Sequence, residues 1–373
     1  MNMKRHIVAA LGSLALTAGV ANAKDVNFAS FQPPKSAAVT HGLEPFAERV
    51  EAATDGELDF SVFSGGALLG ARNTVEGLRS GIAQMGQIVF GYHPAEFPSS
   101  VMIADMAMYG EYPPAVAAAV TEYVLLHCDS CQKEYAAEGI VVLGLTSTSP
   151  YVLIGNTDLS DLSNLSGLKV RTPGALWDRW ATHFGATSVN MPSSDMYEGL
   201  SRGALDVVLQ PVGSLKSHSF WDIAKDVTVT NLGTYRAWGI FAAGEGFWSG
   251  LSDEQKKLMI SEAAYGVIEA SLGYMELDDQ ALAEAADHEV SIHEPTEAHK
   301  AAMAEFIKAD RANILSKARD QLGLADAEER LETFTGLIAK WDEKFALVHG
   351  DLDAMAAMLQ EALAPEIDSL IAN

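Results

Sequence analysis

The chain has 373 residues, 48% hydrophobic and 20% charged, the balance of a folded protein with more length than one small core requires, so two domains are expected. Twenty-five Lys and Arg stand against 50 Asp and Glu, a net charge of −25. That argues against a nucleic-acid binder, which needs clustered positive charge to displace counterions from phosphates, and against adhesion to anionic membranes.

Lys4 and Arg5 precede an apolar run from Ile7 to Val20 that ends in Ala21-Asn22-Ala23. Basic start, apolar stretch and small-x-small ending are the marks of an export signal. Residues 1–23 are read as that signal, cleaved after Ala23, which makes the mature chain periplasmic; losing Lys4 and Arg5 takes its net charge to −27. A retained anchor would need about 20 apolar residues. Later in the chain Val101 to Leu126 comes nearest to a span, but Asp105, Glu111, Pro113, Pro114 and Glu122 interrupt it, so the mature protein is not expected to lie in a membrane.

From Val26 the pattern alternates. Val26 to Phe31 reads as a strand, and Leu43, Phe46, Val50 and Ala53 repeat at helical spacing until Asp55-Gly56. Leu58, Phe60 and Val62 alternate as a strand does. A helix from about Arg72 carries Val75, Leu78 and Ile82, and Gln84 to Phe90 returns as a strand. Pro113-Pro114 opens a helix that Ala115 to Ala137 continues and Gly139 stops, ahead of a buried-type strand at Ile140 to Leu145. A second series follows: strand Leu168–Thr172, helix Trp177–Phe184, strand Ser188–Met191, helix Ser194–Arg202 with Ser194 as N-cap and Gly203 as stop, and strand Leu205–Leu209. Alternating strands and helices predict parallel sheets. From Ser252 the chain reads as almost wholly helical, opened by the capping box Ser252-Asp253-Glu254-Gln255 on a helix to about His288. His288-Glu289 and His293-Glu294 read as solvated charge within it.

Cys128 and Cys131 are the two cysteines, in Cys-Asp-Ser-Cys after His127. An exported chain permits a disulfide, and the spacing also suits a redox motif or half a zinc site. A local structural role is favoured, because zinc needs more ligands, and Tyr123, Val124, His127, Cys131 and Tyr135 read as one helix face. No nucleophile elbow, zinc-protease pair or phosphate loop occurs; Ser64-Gly65-Gly66 lacks the following Lys-Ser or Lys-Thr. The expectation is therefore a non-enzyme without cofactor or metal.

The stretch Leu162-x-x-Leu165-x-Gly167-Leu168-Lys169-Val170-Arg171-x-Pro173-Gly174, then Gly185-Ala186, Met191 and Tyr197-x-x-Leu200-x-x-Gly203-x-x-Asp206, resembles the solute-binding proteins of tripartite ATP-independent periplasmic (TRAP) transporters, the C4-dicarboxylate-binding-protein-like family. Phe46-Ala47, Thr54-x-Gly56, Leu69-Gly70 and Gly77 to Gly81 resemble its N-terminal half more loosely, and the match runs from about residue 26 to 340. The resemblance implies an α/β fold, a two-lobed type II-like periplasmic binding protein with a long lobe-spanning helix and a helical C-terminus. It places lobe I at 24–148 plus 236–273, lobe II at 149–235 plus 274–345, and a helical extension at 346–373. The extension repeats Leu352, Met355, Met358, Leu359, Ala362 and Leu363 at helical spacing and is expected to pack on lobe II, with a dimer contact as the sharper alternative.

The resemblance also implies a small carboxylate-containing, sulfonate or zwitterionic solute held between the lobes and TRAP membrane subunits as partners. Arg171 matches the arginine that pairs with the ligand carboxylate, and a planar guanidinium can offer two parallel donors to it. Gln210 matches a ligand-facing amide. Ser193 stands where relatives place an aromatic ring, and Tyr151 stands near the position of a second arginine in some relatives, which argues against a doubly anionic solute. Trp238 is expected near the lobe crossing, Trp177 just after the Arg171 turn, and Phe31, Phe90 and Tyr92 at strand ends where open α/β sheets bind ligands. Two alternatives stay open: the binding protein of an ATP-driven importer, and an exported redox or metal enzyme using Cys128 and Cys131.

Overall fold

The computed structural model describes residues 23–372; the export-signal reading of residues 1–22 lies outside them. The strands are β1 (Lys24–Ala29), β2 (Leu58–Phe63), β3 (Met85–Val89), β4 (Ile140–Leu145), β5 (Val152–Gly155), β6 (Lys169–Thr172), β7 (Thr187–Asn190), β8 (Val207–Gln210), β9 (Asp226–Thr228), β10 (Trp238–Gly244) and β11 (Ser291–His293). The α-helices are α1 (Glu44–Ala53), α2 (Thr74–Arg79), α3 (Pro98–Asp105), α4 (Pro113–Leu126), α5 (Asp129–Ala137), α6 (Ala175–His183), α7 (Met196–Ser201), α8 (Ser214–Ser217), α9 (Glu245–Trp248), α10 (Asp253–Glu284), α11 (Glu297–Asp320), α12 (Ala327–Ala346), α13 (Leu352–Leu363) and α14 (Ile367–Ala372).

Two sheets divide these strands, in the orders β2-β1-β3-β10-β4 and β11-β9-β5-β8-β6-β7. Neither is purely parallel, as alternation alone predicts. β10 runs antiparallel to both β3 and β4, and β5 antiparallel to β8 and β9. The reason is topological: β10 is the strand on which the chain returns to the first sheet after building most of the second, and it enters from the opposite end. All seven of its residues are buried, and that unbroken apolar run lacks the alternation by which a strand is read from sequence.

The two sheets are joined by a pair of crossing segments that hydrogen-bond to each other. Thr148 N–H donates to Tyr235 O at 3.0 Å, Tyr151 N–H to Gly233 O at 2.8 Å and Leu232 N–H to Tyr151 O at 3.0 Å. Gly233 is required there. Its φ is +79°, and a Cβ would stand 2.3 Å from Ala107 O. Arg236 locks the return crossing: fully buried, it donates to Ala107 O at 2.6 Å, to Tyr109 O and to both oxygens of Thr234.

Helix α10 is the third connection. Its capping box forms as read, with Ser252 Oγ accepting from Gln255 N–H and Gln255 Oε1 from Ser252 N–H. Thr146 Oγ1 donates to Val267 O in the middle of α10. Further along, Asp278 accepts from Ser149 Oγ at 2.6 Å and from Gly213 N–H at 2.7 Å. The helix therefore touches the first sheet's edge, a crossing and the loop after β8 in turn. It ends at Glu284 with a single 3-10 turn to His288.

Four local readings differ in the structure. The predicted 115–137 helix breaks at His127, because Cys128 and Cys131 form a disulfide and Cys128 Sγ caps the new helix α5 by accepting from Cys131 N–H. Ile82 lies beyond the end of α2 and is exposed. Ser194 does not cap α7; its hydroxyl bonds Asp195 instead. His293 stands in β11, where Nε2 lies 2.7 Å from Asp226 Oδ1, so it belongs to a sheet edge and not to a solvated helix.

The C-terminal helices also take another side than expected. α12 and α13 pack on α4 and α10, with Glu122 of α4 accepting from Lys340 Nζ and Trp341 Nε1 at 2.7 Å. Tyr265 donates to Asp353, and Gln360 to Ser261 O. Those partners lie on α4 and the N-terminal part of α10, beside the first sheet, so the tail does not rest on the body of the second. The physical cause is that α4 is apolar on every side and buried from Pro113 to Leu125; one face meets β4, and the others need cover. α11 links both bodies: Arg179 of α6 donates to both carboxylate oxygens of Asp310, and Lys317 pairs with Asp105 of α3.

Candidate functional site

The C-terminal ends of β1, β3, β6 and β8 and the beginning of β10 converge on one narrow cavity, with about 30 Å³ open to the centre of a water-sized sphere. β10 is antiparallel to β3, so its first residue, Trp238, lies beside the last residue of β3, Val89. In α/β sheets this end of the strands is where ligands bind.

Arg171, in the third position of β6, is 1% exposed and lines the cavity. Its Nε donates to Met191 O at 2.9 Å, Nη1 to Leu209 O at 3.2 Å and Nη2 to the Tyr92 hydroxyl at 3.1 Å. Among the described residues no acidic side chain forms an ion pair with it. A guanidinium carries five N–H donors; three are used, and one remains on each terminal nitrogen. That leaves a cation held by two carbonyls and the Tyr92 hydroxyl, with the Tyr151 hydroxyl beside it and one further donor on each terminal nitrogen.

Tyr92 brings the first sheet's side to this group. It follows β3, and its hydroxyl accepts from Ser193 N–H at 3.2 Å as well as from Arg171, while Arg72 lies over its ring at 5.5 Å. Gln210, the last residue of β8, lines the cavity with its amide between Met196 Sδ and Ser214 Oγ. His218 Nδ1 lies 3.0 Å from Ser217 Oγ. Burial, and to a lesser degree the charge of Arg171, push the His218 imidazole down to about 4, so it is neutral at physiological pH.

Of the nine residues singled out from sequence, Arg171, Gln210, Tyr151, Trp238, Tyr92 and Ser193 come together on this cavity. Three do not. Trp177 stands one layer behind, stacked on Tyr151 at 5.4 Å and donating to Leu232 O. Phe90 is core, stacked on Tyr135 at 5.0 Å, and Phe31 is packed in the same cluster. The strand-end rule fails for Phe31 by one residue, since the next, Gln32, lines the cavity. Ser36, His218, Tyr235 and Tyr274 also line it. Tyr235 is adjacent to the predicted return crossing, whereas Tyr274 sits inside α10 with nothing in its spacing to separate it from core.

Among the described residues no group of three or more His, Cys, Asp or Glu stands ready to hold a metal. Cys128 and Cys131 are bonded to each other, buried, and absent from the cavity wall. No described helix is long and apolar enough to cross a membrane.

Three comparisons bear on the site. A solved marine metagenome TRAP solute-binding protein specific for aromatic acid ligands, in complex with 3-hydroxybenzoate, superposes with a TM-score of 0.77 at 24% identity, covering 86% of this chain and 99% of that one; the fold is shared. The ectoine-binding periplasmic protein TeaA of Halomonas elongata is 26% identical over 136 residues, 36% of this chain and 39% of that protein. A solute-binding protein of Albidiferax ferrireducens is 24% identical over 196 residues, 52% of this chain. The matched stretches thus span 39% and 56% of the curated relatives' lengths. The family model for bacterial extracellular solute-binding proteins, family 7, matches residues 28–318, and the chain belongs to that family.

Proposed function

We propose that this chain is the extracytoplasmic receptor of a TRAP transporter, exported by the signal at residues 1–23, which captures a small monocarboxylic acid between its two sheets and passes it to membrane subunits. The observation that carries the reading is Arg171: a buried guanidinium with two donors left and no protein carboxylate to consume them. A ligand carboxylate placed against those donors neutralises the cation and completes its hydrogen bonding. The walls suit a flat apolar body, because Tyr151, Trp177 and Tyr235 form a triangle of near-parallel rings, at interplanar angles of 17–28°, of which Tyr151 and Tyr235 line the cavity. The aromatic acids for which the marine relative is specific fit this description, and among the described residues no Asp or Glu stands on the wall to meet a cationic group.

The work is capture and release, not chemistry: an arginine stays protonated and cannot act as a base. The decisive experiment is mass spectrometry of small molecules carried through purification, followed by calorimetric titration of the acid found into the wild type and Arg171→Ala. A monocarboxylate that binds the wild type and loses at least 100-fold in affinity in the variant supports the reading. Unchanged affinity refutes it.

A further inference from the structure

The cavity has a second pole, on the opposite sheet from Arg171. Gln32 and Ser36 lie in the segment that follows β1, and Trp238 opens β10; β1 and β10 flank β3, so these residues share one end of the first sheet. All three line the cavity and are buried, at 7%, 1% and 2% exposure. Ser36 Oγ and Trp238 Nε1 have no hydrogen-bond partner among the described residues, and no protein group bonds the Gln32 side-chain amide. Eight buried polar side-chain atoms among the described residues are unpaired, and three of them line this cavity: Ser36 Oγ and Trp238 Nε1 at this pole, and His218 Nε2 on the second sheet's side. Leaving such atoms unpaired is costly, and their concentration in one place marks a surface completed by something else.

The chemistry of the pole restricts what completes it. An indole N–H only donates; a hydroxyl and an amide can do both. The pole carries no charge of either sign, so a second carboxylate would enter without a counter-cation and an ammonium without a counter-anion, each at a heavy desolvation cost. What remains is an uncharged acceptor.

We infer that the solute carries, at the end remote from its carboxylate, a neutral hydrogen-bond acceptor such as a phenolic hydroxyl or a carbonyl, and that Trp238, with Ser36 and Gln32, selects for it. The inference rests on the acid-receptor reading and names the other half of the same site. It also says what makes the two sheets close: a molecule bound by Arg171 alone touches one side, whereas a molecule with both ends polar bridges them.

The test uses pairs of acids that differ by one hydroxyl: benzoate and 4-hydroxybenzoate, phenylacetate and 4-hydroxyphenylacetate, 3-phenylpropionate and 3-(4-hydroxyphenyl)propionate. Each is titrated calorimetrically into the full mature chain and into Trp238→Phe, which keeps an aromatic ring and loses the N–H. In at least one pair the hydroxylated acid binds the wild type roughly three- to tenfold more tightly. In Trp238→Phe that ratio falls towards one, because only the hydroxylated acid loses a hydrogen bond. A wild-type preference for the plain acid in every pair, equal affinities, or a variant that weakens both members alike overturns the inference and leaves the acid receptor standing. Failure of all six acids to bind the wild type also overturns the inference, while the acid-receptor reading is decided separately by the co-purified acid and Arg171→Ala. Ser36→Ala, a smaller change, repeats the comparison if Trp238→Phe fails to fold.

Discussion

Two arginines are buried to the same degree and do different work. Arg236 gives its donors to Ala107 O, Tyr109 O and Thr234, and burial, with no carboxylate beside it, pushes its guanidinium down to about 9. Four of its five donors are so used, and they weld the return crossing to the segment after α3. Arg171 leaves two donors open onto a cavity. Arg171→Lys is therefore expected to cost about 100-fold in solute affinity, because an ammonium cannot present the paired geometry, with a change of no more than a few degrees in the melting temperature of the solute-free protein. Arg236→Ala is expected to act in reverse, lowering stability by roughly 3 kcal/mol or more through unpaired carbonyls, as read by urea unfolding. Sequence alone distinguishes these two only through the neighbours: Lys169, Pro173 and Gly174 around Arg171 resemble a known segment, and nothing around Arg236 signals that its donors go to the backbone and Thr234. Ser36, Gln32 and Tyr274 were invisible for a related reason. Their role comes from where β1, β10 and α10 meet, which is a property of the assembly and not of local spacing.

Elements were legible wherever their period was regular and bounded by a stop. β1, β2, β3, β4 and β6 fall within two or three residues of their reading, and α10 opens at the capping box that announces it. What spacing could not show was the partner. The tail helix α13 has the amphipathic repeat Met355, Leu359, Leu363, yet the surface it covers is chosen by α4, a helix apolar on all sides that β4 alone cannot hide. Deleting residues 352–373 uncovers that surface and is expected to lower the melting temperature by roughly 5 °C or more. Solute affinity should stay within about threefold, since no residue of the tail lines the cavity; scanning calorimetry and titration of the same truncated protein measure both. The break at His127 was missed because helix periodicity runs through it, and only the bond between Cys128 and Cys131 makes the turn.

At the scale of the molecule, the two sheets meet through three tethers, and Asp278 sits where they converge, holding Ser149 and Gly213 to α10. Burial outweighs these hydrogen bonds and raises its carboxyl to about 7. The folded state therefore keeps a proton that the unfolded chain releases nearer pH 4. The stability this contributes is complete below about pH 4 and is lost as pH rises through 7. Asp278→Asn does not titrate and can still accept from Gly213 N–H, so its stability relative to the wild type should grow by about 4 kcal/mol between pH 4 and pH 8. Denaturant titrations of both proteins across that range measure the trend; parallel curves would show that Asp278 is not its source.

The bonded crossings have a mechanical corollary. Two strands tied rung to rung by Thr148, Tyr151, Leu232 and Gly233 form a leaf spring: flexing the pair as a unit preserves its rungs, while sliding one strand along the other breaks them. With α10 running alongside as a strut, rocking about one axis is the motion that breaks least. On the receptor reading proposed above, cargoes of different outline are all converted into a single variable, the width of the gap, which a membrane partner could sense without ever touching the cargo.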